Sequence, residues 1–256
     1  MKKLISFALR HIPRKYLQLF SHFGLRVVAV FYRGNNVECT VCHSTFKKFL
    51  PYGRVDTREN ALCPHCLSLE RHRLLWTFLQ EKTDFFTARL KVLHVAPELC
   101  FINRFESLEN LDYITADLES PLAKVHMDVH EIPFNDNTFD VVFCNHVLEH
   151  VESDQKVLSE FYRVMKPGAW AIMQSPIYYH LEETYEDPLI TDPAEREKHF
   201  GQDDHVRIFG TDYGERLRAA GFDVTEDNMV KEISEEKAFY HGYDMRETIY
   251  FIKKPG

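Results

Sequence analysis

Two pairs of cysteines are the residues whose spacing points most directly to chemistry. Each pair has two residues between its members and twenty residues separate the pairs, which comprise Cys39, Cys42, Cys63 and Cys66. Thiolate pairs at this spacing can each occupy two corners of a tetrahedral Zn²⁺ site. We therefore predict a zinc module in a loop-like segment, 38–66, whose folding free energy comes largely from the metal.

The cysteines also allow other interpretations. Two disulfides would suit an exported chain, but the apolar stretch after Met1 is interrupted by basic residues and no cleavage site follows it. A redox dithiol needs only one pair. His43 and His65 adjoin the cysteines and could replace one of them as a ligand, whereas Cys100 and Cys144 are expected to be buried small apolar groups.

Polar side chains follow several predicted strands. We predict strands over Leu90–Ala96, Asp112–Ala116, Lys124–Met127 and Phe139–Cys144. Ligands of open parallel sheets bind beyond the carboxyl ends of the strands. Asp117, Asp128 and Asn145, which follow three of these strands, are therefore candidates for binding a ligand.

The elements that must position these residues alternate between strand and helix from residue 90 onward, which predicts an α/β domain with a mostly parallel sheet and helices on both faces. We expect a helix over Ser153–Met165, a stop at Lys166-Pro-Gly and a strand over Ala169–Gln174. A later helix, Thr211–Ala220, is expected to be capped by Thr211 and to end at Gly221, before strands near 222–225 and 248–252.

Two further features concern connections. Only the segment from Glu119 to Val125 joins the second and third strands, so a loop rather than a crossover helix should lie there. After Cys66, apolar residues recur at helical spacing in LSLERHRLLWTFLQ. We expect this helix to pack an apolar stripe of Leu74, Leu75, Phe78 and Leu79 on the next domain.

Two longer segments carry a family resemblance. VHMDVHEIPFNDNTFDVVFCNHVLEHV and EFYRVMKPGAWAIMQSP resemble the class I S-adenosylmethionine (SAM)-dependent methyltransferases, in particular their small-molecule-type subgroup. RENALCPHCLSLERHRLLW and VLHVAPE resemble a methyltransferase group with an N-terminal zinc module. The resemblance implies a Rossmann-like fold that binds SAM in addition to Zn²⁺.

The resemblance also implies roles for individual residues. Asp117 would bind the cofactor ribose, Asp128 with Val129 would bind the adenine, and Asn145 would face the methyl group; the alternative for both aspartates is helix or turn capping. The first loop, His94-Val-Ala-Pro-Glu98, would contact the cofactor through His94 and Ala96, but it lacks the glycines that are usual in the family. Ala96 is the smallest substitute for them, and Glu98 would hold the methionine ammonium or else stabilise the helix dipole.

Catalytic and substrate-binding residues are less sharply indicated. His146 or His150 could accept a proton, although histidines in NHVLEH also suit hydrogen bonding at a helix start, and positioning alone can drive methyl transfer. The polar segment 176–210 is expected to be irregular and either to form the acceptor pocket or to be a solvated loop. Its candidate substrate contacts are Tyr178, Tyr179, His199, His205 and Arg207.

Charge is distributed unevenly along the chain. The net charge is −8, yet the first 37 residues contain no acidic residue and the basic residues Lys2, Lys3, Arg10, Arg14, Lys15, Arg26 and Arg33. We expect amphipathic helices over 1–33 that bind an anionic membrane surface or RNA, or else pack on the acidic body. No stretch is apolar enough to span a bilayer, and we expect a cytoplasmic protein.

The sequence thus predicts three parts: a basic arm (1–37), a zinc module with its linking helix (38–80) and a methyltransferase domain (88–256) with a substrate insertion near 176–210. The expected reaction is methyl transfer from SAM to an oxygen or nitrogen of a small-molecule or sugar (glycan) acceptor. The alternatives are a ribosomal- or transfer-RNA base methyltransferase that grips RNA through the zinc module, and a non-catalytic binding protein whose glycine loop has degenerated.

Overall fold

The computed structural model describes residues 28–53 and 57–256, which divide into two compact units. The first contains the described residues up to Phe86 together with 98–104 and 228–247; the second contains 87–97, 105–227 and 248–256. The helices expected in the basic arm fall mainly on 1–27 and lie outside the described residues. Among the residues that are described, none belongs to a helix long and apolar enough to cross a membrane.

The elements follow one another along the chain. Four short strands, β1 (Arg33–Glu38), β2 (Thr45–Phe46), β3 (Leu50–Tyr52) and β4 (Arg58–Leu62), precede α1 (Glu70–Lys82). Next come β5 (Leu90–Val95), α2 (Leu99–Glu106), β6 (Leu111–Asp117), β7 (Val125–His126), β8 (Phe139–Asn145), α3 (Asp154–Val164) and β9 (Met165–Gln174). The chain continues with β10 (Tyr185–Glu186), α4 (Pro193–Phe200), β11 (Arg207–Ile208), α5 (Tyr213–Ala219) and β12 (Asp223–Asp227). A 3₁₀ turn (Met229–Glu232), α6 (Glu235–His241) and β13 (Ile249–Lys253) complete it.

A seven-stranded sheet with the order β12-β13-β9-β8-β5-β6-β7 forms the centre of the second unit. Strands β5 to β9 pair in parallel, whereas β13 is antiparallel to both β9 and β12. All but one of the side chains of β8 are buried, as expected for a strand that is covered on both faces. The predicted α/β class with a mostly parallel sheet is confirmed.

The short connection between β6 and β7 is a loop, as predicted. The backbone N–H of Lys124 donates to the carbonyl and to the hydroxyl of Thr115, which returns the chain directly beside β6. Strand β7 has only two residues, fewer than the predicted Lys124–Met127, because pairing with β6 is limited to Ala116 and Asp117. This edge of the sheet therefore ends in a compact turn.

Two predicted helix ends need correction. Helix α3 begins after Ser153, whose hydroxyl accepts from Lys156 N–H as a cap, but β9 starts at Met165, so Lys166-Pro-Gly lies inside the strand rather than before it. Helix α5 is preceded by Asp212, not capped by Thr211, whose hydroxyl instead donates to the Glu182 carbonyl.

The insertion 176–210 is more regular than the sequence indicated. Strands β10 and β11 pair antiparallel, and α4 lies between them. The Asp192 carboxylate caps α4 by accepting from the N–H groups of Ala194 and Glu195. The insertion is therefore an ordered hairpin with a helix, and not an irregular loop, because its polar residues supply caps and cross-strand partners.

The cysteine-containing segment of the first unit is also not a plain loop. Strands β1 and β2, and strands β3 and β4, form two antiparallel pairs. The predicted apolar stripe of α1 is buried, but so are His72, Arg73 and Trp76 on its other sides. The helix is enclosed nearly all round within this unit, since Trp76 stacks on Phe101 and His72 packs edge-on against the same ring.

A buried guanidinium ties distant segments of the first unit together. Arg73 donates to the carbonyls of His241 and Gly242, each at 2.6 Å, and to those of Ala61 and Ser68, each at 2.9 Å. A Cβ on Gly242, where φ is +60°, would lie 2.7 Å from the Arg73 guanidinium, so glycine is required there. These contacts place 228–247 in the first unit, although the sequence-based boundary assigned it to the methyltransferase domain.

We expect Arg73→Ala to lower the free energy of unfolding by at least about 3 kcal/mol, because several buried carbonyls lose a charged donor at once. Urea denaturation followed by circular dichroism measures this change. Gln80→Ala, on the exposed side of the same helix, is the matched control and should change stability by less than about 0.5 kcal/mol. Equal effects of the two substitutions would show that the Arg73 contacts do not stabilise the fold.

Candidate functional site

The four predicted metal-binding cysteines come together. Their sulfurs all lie within 4.8 Å of one another, with Cys39 Sγ 3.6 Å from Cys66 Sγ and Cys42 Sγ 3.7 Å from Cys63 Sγ. Sulfurs on a tetrahedral Zn²⁺ with bonds of about 2.3 Å are about 3.8 Å apart, whereas a disulfide requires about 2.05 Å. The distances fit a metal site and exclude disulfides among these cysteines.

The site is built from two copies of one turn, C-T-V-C-H-S and C-P-H-C-L-S. In each copy the first cysteine N–H donates to the carbonyl of the serine five residues on, and the residue after the second cysteine, His43 or Leu67, has a positive φ. Ser68 Oγ lies 3.1 Å from Cys39 Sγ and 3.2 Å from Cys66 Sγ. The repeated Cys-x-x-Cys-x-Ser pattern is a signal that cysteine spacing alone did not reveal.

The four thiols shift one another's pKa values in opposite directions, and contacts with Cys39 and Cys42 raise the pKa of Cys63 and Cys66. Hydrogen bonds from Cys39 and Cys63 hold the pKa of the Cys42 thiol well below its usual value. Burial lowers the pKa of Arg73, but the neighbouring cysteine thiolates oppose this shift by favouring its charged form. His43 and His65 are exposed and are not members of the four-sulfur cluster.

The predicted cofactor residues of the second unit lie at one edge of its sheet. Register pairs Val95 of β5 with Ala116 of β6 and with Cys144 of β8, so Ala96, Asp117 and Asn145 follow adjacent strand ends. Asp128 and Val129 follow β7 after Met127, whose N–H donates to the Asp117 carbonyl. The sheet therefore brings together the residues that the sequence predicted for ribose, adenine and methyl-group contacts.

Two residues at this edge have a left-handed backbone. Ala96 has φ +48° and His146 has φ +55°. Residues with a Cβ rarely adopt this conformation, which glycine adopts freely. Ala96 therefore retains the backbone bend that a glycine would allow, and its N–H donates to the Ala116 carbonyl at 2.9 Å.

The two strand-end aspartates both stabilise turns. Asp117 Oδ1 accepts from Glu119 N–H and Ser120 N–H at 2.9 and 2.8 Å. Asp128 Oδ1 accepts from the His130 N–H at 2.8 Å and lies 2.7 Å from His130 Nδ1, and these contacts lower the pKa of Asp128. Both contacts correspond to the capping alternative, and one carboxylate can cap a turn while also binding a ligand.

Other predicted cofactor residues occupy different surroundings. The His94 side chain is fully buried, lies 2.7 Å from the Tyr113 hydroxyl through Nδ1 and packs against Phe105 and Phe143. It is a core residue, so the prediction that it contacts the cofactor needs correction for its side chain. Glu98 belongs to the first unit, where its carbonyl accepts from the N–H groups at the start of α2.

The two candidate bases lie in the turn after β8 with a buried carboxylate between them in sequence. Glu149 Oε1 lies 3.3 Å from His146 Nδ1, and Glu149 Oε2 accepts from the Ser175 hydroxyl at 3.0 Å. Burial raises the pKa of Glu149, but the hydrogen bond and the charge of His146, together with smaller contributions, outweigh this effect, and the pKa lies below its usual value. The sequence does not single out Glu149 or Ser175, because nothing local indicates that the two residues meet.

Of the predicted substrate contacts, Tyr179 and His199 are exposed and Tyr178 is half-buried. Arg207 is buried instead and donates to the carbonyls of Leu148, Val151 and Glu152 and to the Glu186 carboxylate. Its guanidinium holds the turn after β8 in place, which is a structural role. His205 is also buried, and its ring packs edge-on against that of His150 at 4.7 Å.

Comparison with known proteins supports the fold. Residues 106–173 match a family model described as a methyltransferase domain. A ubiquinone/menaquinone biosynthesis C-methyltransferase from Desulfotalea psychrophila is 46% identical over 41 residues, covering 16% of this chain and 17% of its own. A sterol methyltransferase-like protein from Botryococcus braunii is 40% identical over 55 residues, covering 22% and 14%. The matched segments thus span a quarter or less of either partner.

Solved structures resemble the chain at low identity. The [4+2]-cyclase SpnF has a TM-score of 0.49 at 14% identity, covering 93% of this chain and 95% of its own. A phosphoethanolamine N-methyltransferase from Haemonchus contortus has a TM-score of 0.44 at 15% identity, covering 66% and 50%. The matched domain and the seven-stranded sheet identify a Rossmann-like methyltransferase fold.

We expect Ala96→Gly to leave the free energy of unfolding unchanged or to raise it by up to about 1 kcal/mol, because glycine removes the left-handed strain. Ala96→Val should lower it by at least about 1 kcal/mol, since a branched Cβ increases that strain. Thermal and urea denaturation measure both changes. Ala171→Gly, in the buried strand β9, is the control and should lower the free energy of unfolding by about 1 kcal/mol. An equally large decrease in Ala96→Gly would show that the backbone at Ala96 is not strained.

Proposed function

We propose that this chain is a SAM-dependent methyltransferase that methylates an oxygen or nitrogen of a small molecule. The observation that carries the proposal is the set of side chains at adjacent strand ends, Asp117, Asp128 and Asn145, within or beside a segment that matches a methyltransferase domain. In such sheets, ligands bind at this edge. The cofactor supplies an activated methyl group, so the protein has mainly to bind and orient the two reactants.

The carboxylate of Asp117 is suited to the ribose hydroxyls, since it is only partly buried at the end of β6. Leu118, which follows it, is 65% exposed and offers an apolar surface for the adenine ring. Asp128 and the Val129 N–H would bind the adenine edge, and the buried Asn145 side chain would lie near the methyl group. The sequence does not single out Leu118, because exposed leucines are common.

His146 is the better of the two candidate bases. The contact between its Nδ1 and the buried Glu149 carboxylate favours the tautomer in which Nε2 can accept a proton. A carboxylate that orients a histidine is a recurring arrangement in proton transfer. His150 lies instead with Nδ1 3.2 Å from the Asp204 carbonyl, which must accept from it.

The acceptor is the least constrained part of the proposal. A small-molecule or glycan acceptor would contact Tyr178, Tyr179 and His199 on the ordered insertion. Relatives named as quinone and sterol methyltransferases include C-methyltransferases, which makes a carbon acceptor the second candidate. Radiolabelled methyl transfer to separate quinone, sterol, glycan and RNA fractions distinguishes these classes of acceptor. RNA binding through the basic arm that weakens with added salt would favour the RNA alternative.

We further propose that Cys39, Cys42, Cys63 and Cys66 bind one structural Zn²⁺. The sulfur distances and the repeated turn support a tetrahedral site with no open position. Arg73 hydrogen-bonds to the Ser68 carbonyl beside the cluster and would offset part of the negative charge of a four-thiolate site. The metal would therefore stabilise the first unit rather than take part in methyl transfer.

Elemental analysis of the purified chain should find one zinc per chain, and Cys63→Ser should lower this content and the thermal stability, because one ligand is lost. Cys100→Ala is the control, since Cys100 is a buried cysteine outside the cluster, and it should retain the metal. A fully reduced and folded chain without metal would contradict the zinc proposal.

Asp117→Ala should weaken S-adenosylhomocysteine binding by roughly ten- to a hundred-fold, because a hydrogen bond to a charged group contributes about 1.5–3 kcal/mol. Calorimetric titration measures this change. Asp117→Asn removes the charge but keeps an oxygen that can cap the turn. Comparison with Asp117→Ala therefore separates the loss of charge from the loss of the turn. Asp112→Ala, at an exposed position of the same strand, should bind like the parent chain; unchanged binding by Asp117→Ala would contradict the ribose role.

A further inference from the structure

We propose that Glu149, His150 and His205 form a second metal site, for a divalent transition-metal ion bound by two imidazoles and one carboxylate. One ligand atom from each of these three residues lies within 4.8 Å of the others. Ligand atoms bound tetrahedrally to one ion at about 2.0–2.2 Å lie about 3.3–3.6 Å apart. Side-chain rotations that move these atoms by about an ångström would bring them to that separation.

Both histidines are already oriented as metal ligands usually are. His205 Nδ1 lies 3.2 Å from the Phe200 carbonyl, and His150 Nδ1 lies 3.2 Å from the Asp204 carbonyl. A carbonyl can only accept, so each Nδ1 carries the proton and each Nε2 keeps a lone pair for a metal. Histidine ligands typically donate their other ring N–H to a carbonyl or carboxylate in this way.

The third ligand is a buried carboxylate. Glu149 is 2% exposed, and the Ser175 hydroxyl donates to its Oε2 at 3.0 Å. Each carboxylate oxygen can accept more than one contact, so the bonds from Ser175 and His146 orient the group without using all of its lone pairs. Burying a carboxylate is costly unless charge compensates it, and a divalent cation supplies that compensation.

The surrounding charges are compatible with a cation. The Asp204 carboxylate lies 3.6 Å from His150 Nδ1 and adds negative charge. The nearby Arg207 guanidinium is bound by the carbonyls of Leu148 and Val151 and neutralised by Glu186 at 2.8 Å. Positive charge on Arg207 is therefore largely offset.

The ligand set indicates the class of metal and its exposure. Two imidazoles and one carboxylate suit Zn²⁺, Mn²⁺, Fe²⁺ or Co²⁺ and leave coordination positions open. The His150 side chain is 34% exposed, so the open positions have access to solvent. If the proposed methyl transfer is correct, such an ion could hold an acceptor oxygen near His146; metal binding itself does not depend on that function.

Cobalt is the probe that separates this site from the cysteines. The full chain is first loaded with one equivalent of Zn²⁺, which the four-thiolate site binds in preference, and is then titrated with Co²⁺ in the absence of SAM. We expect one additional Co²⁺ per chain, with visible d–d absorption but without the near-ultraviolet sulfur-to-cobalt charge-transfer band of a cysteine site. The same titration should raise the melting temperature, since the ion binds the folded chain.

Single substitutions test whether the two histidines bind the ion. His150→Gln changes a partly exposed residue, so the chain should fold and bind Co²⁺ at least about tenfold more weakly. His205→Asn, checked for folding by circular dichroism, should have the same effect, whereas His180→Gln, an exposed histidine of the same insertion, should bind like the parent. A parent chain that takes up no additional Co²⁺, or equal affinity in His150→Gln and the parent, would overturn the proposal.

Discussion

Parallel pairing of β5 with β6 on one side and β8 on the other is the constraint on which the candidate site depends. The register places Ala96, Asp117 and Asn145 at neighbouring strand ends, and the two-residue strand β7, which pairs with the end of β6, brings Asp128 to the same edge. These residues are far apart in the sequence, except for Asp117 and Asp128, which the β6–β7 connection joins. Their common edge exists because parallel strands end at the same side of a sheet, so the backbone hydrogen bonds of the sheet set the geometry of the site.

The same edge shows that the loop after β5 can keep a left-handed bend without glycine. Ala96 and His146 both adopt positive φ, at the ends of β5 and β8. Such strain persists only where surrounding contacts enforce it, and it often occurs at functional sites. At Ala96 the enforcing contact is the hydrogen bond to the Ala116 carbonyl, and at His146 it is the hydrogen bond to the Gln174 carbonyl. The proposal of a bound cofactor is therefore compatible with the unusual sequence of this loop.

Buried charge organises both units. In the first unit, Arg73 joins β4 and the second cysteine turn to the end of α6 through four backbone carbonyls. In the second, Arg207 fixes the turn after β8 from the insertion, and the buried Glu149 receives contacts from His146 and Ser175. A buried charge must be satisfied by several partners, so each of these residues specifies the position of segments that local propensity leaves undetermined.

The sequence by itself determined the α/β class, the loop between β6 and β7 and the grouping of four cysteines, because hydrophobic periodicity, the length of a connection and cysteine spacing are local properties. Only the tertiary structure decided that His94 and Arg207 are buried structural residues, that 228–247 belongs with the cysteine module, and that Glu149 meets His146, Ser175 and His205. Those outcomes depend on contacts between residues far apart in the chain, and the burial that such contacts create cannot be read from the residues on either side.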